Sequence, residues 1–287
     1  MKIDVECVPC FVRQALATVR RATDDESLQW LVMRDVGHLL DGLSTDTSPP
    51  EFAERVYGII GAVTGNDDPY LEDKKRANSL VLELEAGFKD MLRTADDAML
   101  TAVKLAISGN SMDLGVVADY GDVAALAKAM LLEELAVDDY ASFARCLGEA
   151  SHVVFVGDNA GEIVFDRMLI EEMRKVRECR FTYVVRGRPA INDVTIEDAR
   201  TAGIDRVATI VDSGSGAPGL VLAECSDAVR SLFLSADMVV AKGQGNYEAL
   251  SDAPRDVFFL LLVKCPVVSR EFAVPVGAAV VKHHRVG

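Results

Sequence analysis

From Ser151 onward the chain alternates short runs of β-branched and aromatic residues with stretches long enough to be helices, and few folds accept that alternation. The runs are 152–157 (HVVFVG), 181–186 (FTYVVR), 206–211 (RVATIV), 238–242 (MVVAK) and 257–263 (VFFLLLV), with a closing AVPVGAAVVK. Helical spacing fills 162–178, 195–203 and 219–233 between them. Apolar strands joined by helices are covered on both faces, which predicts a doubly wound, mostly parallel Rossmann-like α/β sheet. Residues 11–22, 27–41, 51–62, 72–93, 95–107 and 122–136 instead carry apolar positions three and four apart, and strand-like runs are absent there. We therefore expect a helical N-terminal domain over 1–145, packed on an α/β domain over 146–287.

With 50% hydrophobic and 26% charged residues, the 287-residue chain can bury a sizeable core. Its 30 Lys and Arg against 45 Asp and Glu leave a net charge of −15, which repels nucleic acid and anionic membrane surfaces. The longest unbroken apolar run is Val257 to Val263, well under the ~18 residues of a membrane span. Acidic Asp4 and Glu6 stand where a signal peptide would be basic, so the expectation is a soluble, cytoplasmic protein. Six cysteines are too sparse for a disulfide scaffold, and reduced thiols are expected.

In open α/β sheets ligands bind beyond the carboxyl ends of the strands, so the residues after each run carry the chemistry. After the first run, Gly157-Asp158-Asn159-Ala160-Gly161-Glu162 offers a carboxylate and an amide oxygen, hard ligands for a divalent cation, though Asp or Asn before a helix is also ordinary capping. After the second, Asp193 brings another carboxylate to the same edge, 35 positions on. Thr195 and Asp198 nearby also fit a capping box. After the third, Asp212-Ser213-Gly214-Ser215-Gly216 can turn backbone N–H groups toward an anion, or be a plain connector. After the fourth, Lys242-Gly243-Gln244-Gly245 puts an ammonium group where a phosphate could sit, unless the lysine merely snorkels. Neither glycine loop has Walker or G-x-G-x-x-G spacing, so a nucleotide triphosphate or dinucleotide is not indicated. Together the four loops describe a divalent metal facing an anion.

The segments GDNAGE, NDVT and KGQGNYE, in that order and spacing, resemble the metal-dependent damage-control phosphatase family, domain of unknown function 89. Cys7-x-x-Cys10, Asp68-Pro69-Tyr70 with Asn78, and Gly109-Asn110-Ser111-Met112-Asp113-Leu114-Gly115 are similar to its prokaryotic, cysteine-containing branch. The resemblance implies a bound divalent metal (Mn, Ni, Co or Mg) and hydrolysis of small phosphomonoesters such as sugar phosphates or damaged phosphometabolites. It implies Asp158, Asn159 and Asp193 as metal ligands and Lys242 as the phosphate-holding cation, with Asn110 and Asp113 lining the pocket from the helical side; the loop positions of Glu162, Ser213 and Gly214 make them further candidates for contact with the substrate. Asp158 could instead be a nucleophile forming an aspartyl-phosphate. Two rival functions stand beside this one: an S-adenosylmethionine-dependent carboxyl methyltransferase, and a non-catalytic phosphometabolite-binding protein.

Cys7 and Cys10 share one side of a helical turn, yet four zinc ligands are not at hand, so a structural role stands against a metal or redox one. Cys146, Cys179, Cys225 and Cys265 are scattered and read as core residues. His38, His152, His283 and His284 show no pairing with a nucleophile, which argues against serine-type hydrolysis.

Overall fold

A computed structural model describes residues 1–113 and 122–286; Leu114 and Gly115 of the motif above lie outside them. The described helices are α1 (Cys7–Ala22), α2 (Glu26–Asp41), α3 (Pro49–Thr64), α4 (Leu71–Thr94), α5 (Ala98–Gly109), α6 (Val123–Leu132), α7 (Tyr140–Glu149), α8 (Glu162–Val176), α9 (Ile196–Thr201), α10 (Asp227–Ser235), α11 (Gly243–Leu250) and α12 (Pro266–Phe272). The strands are β1 (Val137–Asp138), β2 (His152–Val156), β3 (Arg180–Val185), β4 (Thr209–Asp212), β5 (Met238–Lys242), β6 (Val257–Leu262) and β7 (Ala279–His284). They form one sheet in the order β1-β7-β6-β5-β2-β3-β4. Every pairing is parallel except β6 with β7.

Strand order reverses between β2 and β5, because the chain runs outward through β3 and β4 on one side and through β6 and β7 on the other. A crevice opens at such a switch point, so the loops after β2 and β5 face one another. Side chains of β2 alternate as a pleated strand requires: Val153 and Phe155 enter one core with α4, α5 and α8, and Val154 and Val156 enter another with α10 and α11. Helices α1 to α3 bury their apolar faces in a third cluster around Phe11, Val32, Phe52 and Val56. Helix α3 then packs on α11, which carries this bundle to the end of the sheet where the loops lie.

Several boundaries differ from the periodicity reading, each for a local reason. Val137–Asp138 is a short strand beside β7, too brief to leave a pattern among the helices. The helix expected over 219–233 begins only at Asp227, where the Ser226 side chain accepts from the Val229 N–H. The helix expected over 122–136 ends at Leu132. No described helix is long and apolar enough to cross a membrane.

Candidate active site

Asp158 and Asn159 follow β2 after a single glycine, Gly157. Helix α8 has Gly161 as its N-cap with no side-chain cap, so neither residue is used up as capping. Asp193 reaches them through an antiparallel bridge between Asn159 and Asp193, flanked by Ala160 N–H to Asn192 O at 2.8 Å and Val194 N–H to Asp158 O at 2.8 Å. The two acidic loops are therefore zipped together by backbone. Thr195 and Asp198 do form the capping box, at the next turn, without competing for Asp193.

The two carboxylates are set by donors on three sides. Asn110 Nδ2 and Asn159 Nδ2 donate to Asp158 Oδ2 at 2.9 and 2.7 Å. Arg186, buried just past β3, donates from Nε to Asp193 Oδ2 at 2.6 Å and from Nη2 to Asp158 Oδ1 at 3.4 Å. Its third contact, Nη1 to Asn246 Oδ1 at 3.3 Å, anchors it to α11, where Asn246 also donates to the carbonyls of Gly157 and Lys242. Gly243 (φ +76°) is obligatory here: a Cβ would collide with Asp158 Oδ2 and approach Asn110 Nδ2 at 2.9 Å.

The electrostatics call for a cation. Burial, then the neighbouring charges of Asp193 and Glu162, push Asp158 well above the carboxylate range. Burial likewise lifts Asp193 to about 6, against the pull of Arg186. Asp113, Asp158, Glu162, Asp166 and Asp193 confront Arg186, Lys242 and Lys264, five acids against three bases. Glu248 also lines the crevice, so acids outnumber bases around it and a divalent cation would offset that excess. Asn159 Oδ1 is buried with no hydrogen-bond partner among the described residues, a state a buried amide oxygen rarely tolerates. Two carboxylates and an orphaned amide oxygen are a hard donor set of the type that Mg²⁺ or Mn²⁺ takes. Among the described residues no group of three His, Cys, Asp or Glu side chains forms a metal cluster, and the amide is what completes this set.

Lys242 occupies another place than the one read from sequence. Its ammonium group lies wholly buried and donates to Ala106 O at 2.9 Å, Glu162 Oε1 at 2.6 Å and Asp166 Oδ1 at 2.6 Å, so all three N–H bonds are taken. Burial opposes its charge, but Asp166 and Glu162 outweigh burial and raise its pKa. Glu162 is correspondingly a relay, its Oε2 accepting from Asn110 Nδ2 and Asn159 Nδ2.

A cation that does face the crevice is Lys264, just past β6. With Asp113, Asp158 and Asp193 it lines a cavity of about 500 Å³, whose walls include Phe11, Pro50, Ile191 and Gln244; Arg13 lines the same cavity from α1. Lys264 Nζ is 2.7 Å from Asp113 Oδ2, and Asp113, Asp158 and Glu162 together overcome burial to raise its pKa. The rule of inspecting the residue after each strand, carried on to the fifth run, would have found it. Arg186 and Asn246 likewise sit inside the segments read from sequence without a role assigned there.

The Ser213–Gly216 loop does gather N–H donors, but its anion is a side chain from α3. Gly216 N–H donates to Glu54 Oε1 at 2.8 Å and Ser215 Oγ to Glu54 Oε2 at 3.3 Å, while Gly214 N–H is taken by Asp212. Ser213 Oγ is occupied with Ser215 O. Thus Ser213 and Gly214 do not join the cavity wall around Asp158. A Ser142–His283–Asp256 row does exist at the far edge of the sheet, yet the Ser142 hydroxyl already accepts from Arg145 and Arg285 and His283 stacks on Phe258.

Residues 3–280 match the damage-control phosphatase ARMT1-like domain. The chain belongs to this family. It is 35% identical to a damage-control phosphatase of Archaeoglobus fulgidus over 98% of this chain and 99% of that one. It is 32% identical to damage-control phosphatase PH1575 of Pyrococcus horikoshii over 98% and 97%, and equally to an uncharacterized protein of Methanocaldococcus jannaschii over 96% and 94%. A crystal structure of the Pyrococcus horikoshii protein, described as a DUF89 family protein, superposes with a TM-score of 0.90, covering 99% of this chain and all of that one at 31% identity.

Proposed function

We propose that this member of the family is a metal-dependent phosphatase that hydrolyses small phosphomonoesters, sugar phosphates or damaged phosphometabolites among them. The observation that carries the metal is the orphaned Asn159 Oδ1 beside two buried carboxylates that share one guanidinium, Arg186, between them. Asp158, Asn159 and Asp193 would hold the cation, Mn²⁺, Ni²⁺, Co²⁺ or Mg²⁺. When bound, it supplies a Lewis acid for a phosphoryl oxygen and lowers the pKa of its water.

The chain's own groups do the rest. Arg186 and the Asn110 amide hold the two carboxylates in fixed orientation, so the ligand set needs little rearrangement when the cation arrives. Asp158 Oδ2 already accepts from two amides and Oδ1 faces Arg186, an arrangement that suits a holding group better than a nucleophile. Lys264, whose charge is tied to that of Asp158, is a cation available to the negative phosphoryl oxygens, whose own charge is the main demand of phosphoryl transfer. Phe11, Pro50 and Ile191 exclude water from the opposite wall.

Phosphate release from a panel of small phosphomonoesters, with and without Mn²⁺, Ni²⁺, Co²⁺ or Mg²⁺, tests the reading on the native chain and Asp158→Ala. Metal-dependent turnover that vanishes in the variant is expected. A native chain that turns over nothing with any metal, or a variant that keeps full activity, refutes it; methyl transfer from S-adenosylmethionine without metal would install the rival.

A further inference from the structure

Three of the six cysteines line the cavity that holds Asp158, Asp193 and Lys264: Cys7 and Cys10 on the first turn of α1, and Cys265 at the start of α12. Cys146, Cys179 and Cys225 do not. The fold thus brings thiols from two distant chain segments to the lining of one cavity. All three are free and half-buried. Cys10 Sγ accepts from Arg13 Nη2 at 3.4 Å, and Cys265 Sγ accepts from Gln244 Nε2 at 3.4 Å and from Val268 N–H at 3.5 Å. Burial pushes the Cys7 thiol up to about 11 and raises Cys10, and in both the charge of Cys265 adds to the rise. The sulfurs therefore share one electrostatic neighbourhood. Thiols gathered at one cavity from two chain segments can be joined by a two-electron oxidation.

We propose that Cys265 and the two α1 thiols form an oxidation site in the cavity wall, which a hydroperoxide converts into a disulfide tying α12 to α1. Cys265 is oxidised first: an S–O bond forms as the peroxide O–O bond breaks, giving a sulfenic acid and water. The thiol of Cys7 or Cys10 then attacks that sulfur; the S–S bond forms, and the hydroxyl leaves with the thiol proton as a second water. Two electrons pass from the two thiols to one hydrogen peroxide. Lys264 is the neighbour of Cys265 and is drawn with it, so the link narrows the cavity and displaces its cation. The oxidation site stands on the cavity alone; its effect on turnover rests on the phosphatase reading.

The test treats the full-length, metal-free protein with hydrogen peroxide and maps a non-reduced digest by mass spectrometry. A peptide joining Cys265 to Cys7 or Cys10, two hydrogens lighter than its parts and reversed by dithiothreitol, is expected in the native chain and in Cys179→Ser. It is absent from Cys265→Ser and from the double variant Cys7→Ser with Cys10→Ser. Phosphate release by the linked protein falls at least tenfold and recovers on reduction. No linked peptide, or a Cys7–Cys10 link alone, overturns the site, and linked protein that keeps its turnover overturns the closure. A linked peptide in a chain that releases phosphate from no substrate would remove the phosphatase reading and leave the oxidation site standing.

Discussion

Lys242 Nζ lies 2.6 Å from Glu162 Oε1, and neither side chain reaches solvent. The pair sits one layer beneath Asp158, with Asp166 completing it and Tyr183 donating to Asp166 at 2.7 Å. Removing the ammonium group leaves two buried carboxylates uncompensated. Lys242→Met should cost roughly 3–5 kcal/mol of stability, the usual penalty for breaking a buried pair from one side. A urea-denaturation midpoint unchanged from native would refute this placement.

Lys264→Ala should behave oppositely. Its partner Asp113 keeps part of its surface in solvent, so less stability is at stake than at the fully buried Lys242. The lost cation should lower kcat/KM by about 10²-fold, in the range of a deleted transition-state donor. Steady-state kinetics beside a melting curve separates the two lysines.

Gly243→Ala adds one methyl group that meets Asp158 Oδ2, and the backbone there is left-handed. The strain should cost about 1–3 kcal/mol. Because the displaced atom belongs to the carboxylate proposed to hold metal, Mn²⁺ affinity by calorimetry should fall more than tenfold, whereas Gly58→Ala, with open space around it, leaves affinity intact.

Glu224 and Glu54 meet at Ser215, and Glu224 keeps the proton. Burial, then the hydrogen bond with Glu54, raises Glu224 to about 7. Burial also opposes ionisation of Glu54, but hydrogen bonds from Glu224, the Gly216 N–H and Arg188 outweigh it and depress its pKa. A carboxyl raised on folding contributes stability that is complete below its ordinary 4.5 and lost as pH rises through about 7. The Glu54 contribution is lost only as pH falls below the ordinary range, outside that window. The melting temperature should therefore decline between pH 5 and pH 8, and Glu224→Gln should make the decline shallower without abolishing it, because Asp166, Asp193 and Glu248 are raised into the same window.

The strands after Ser151 were legible because a parallel sheet covered on both faces writes itself as uninterrupted apolar runs. Asp158, Asn159 and Asp193 were legible as candidates because strand ends and the switch point are positional facts. Lys242 was not, since the same strand end can send a side chain out to a ligand or back under the sheet. What decides is Glu162 and Asp166, four apart on one face of α8, which supply the counter-charge. The Ser213–Gly216 loop misled for a similar reason: its anion, Glu54, comes from a helix more than a hundred residues earlier. The two-residue β1 left no periodicity to read.

The backbone bridge between Asn159 and Asp193 has a thermodynamic consequence. Loops that must be ordered by an arriving ion spend part of its binding energy on lost chain entropy, about 1–2 kcal/mol for each residue fixed. Here the two loops stitch each other in place through Ala160 and Val194 with protein atoms alone. Amide exchange at these positions should then be slow and nearly the same whether or not cation is present, the behaviour of a socket that is stiff before it is filled.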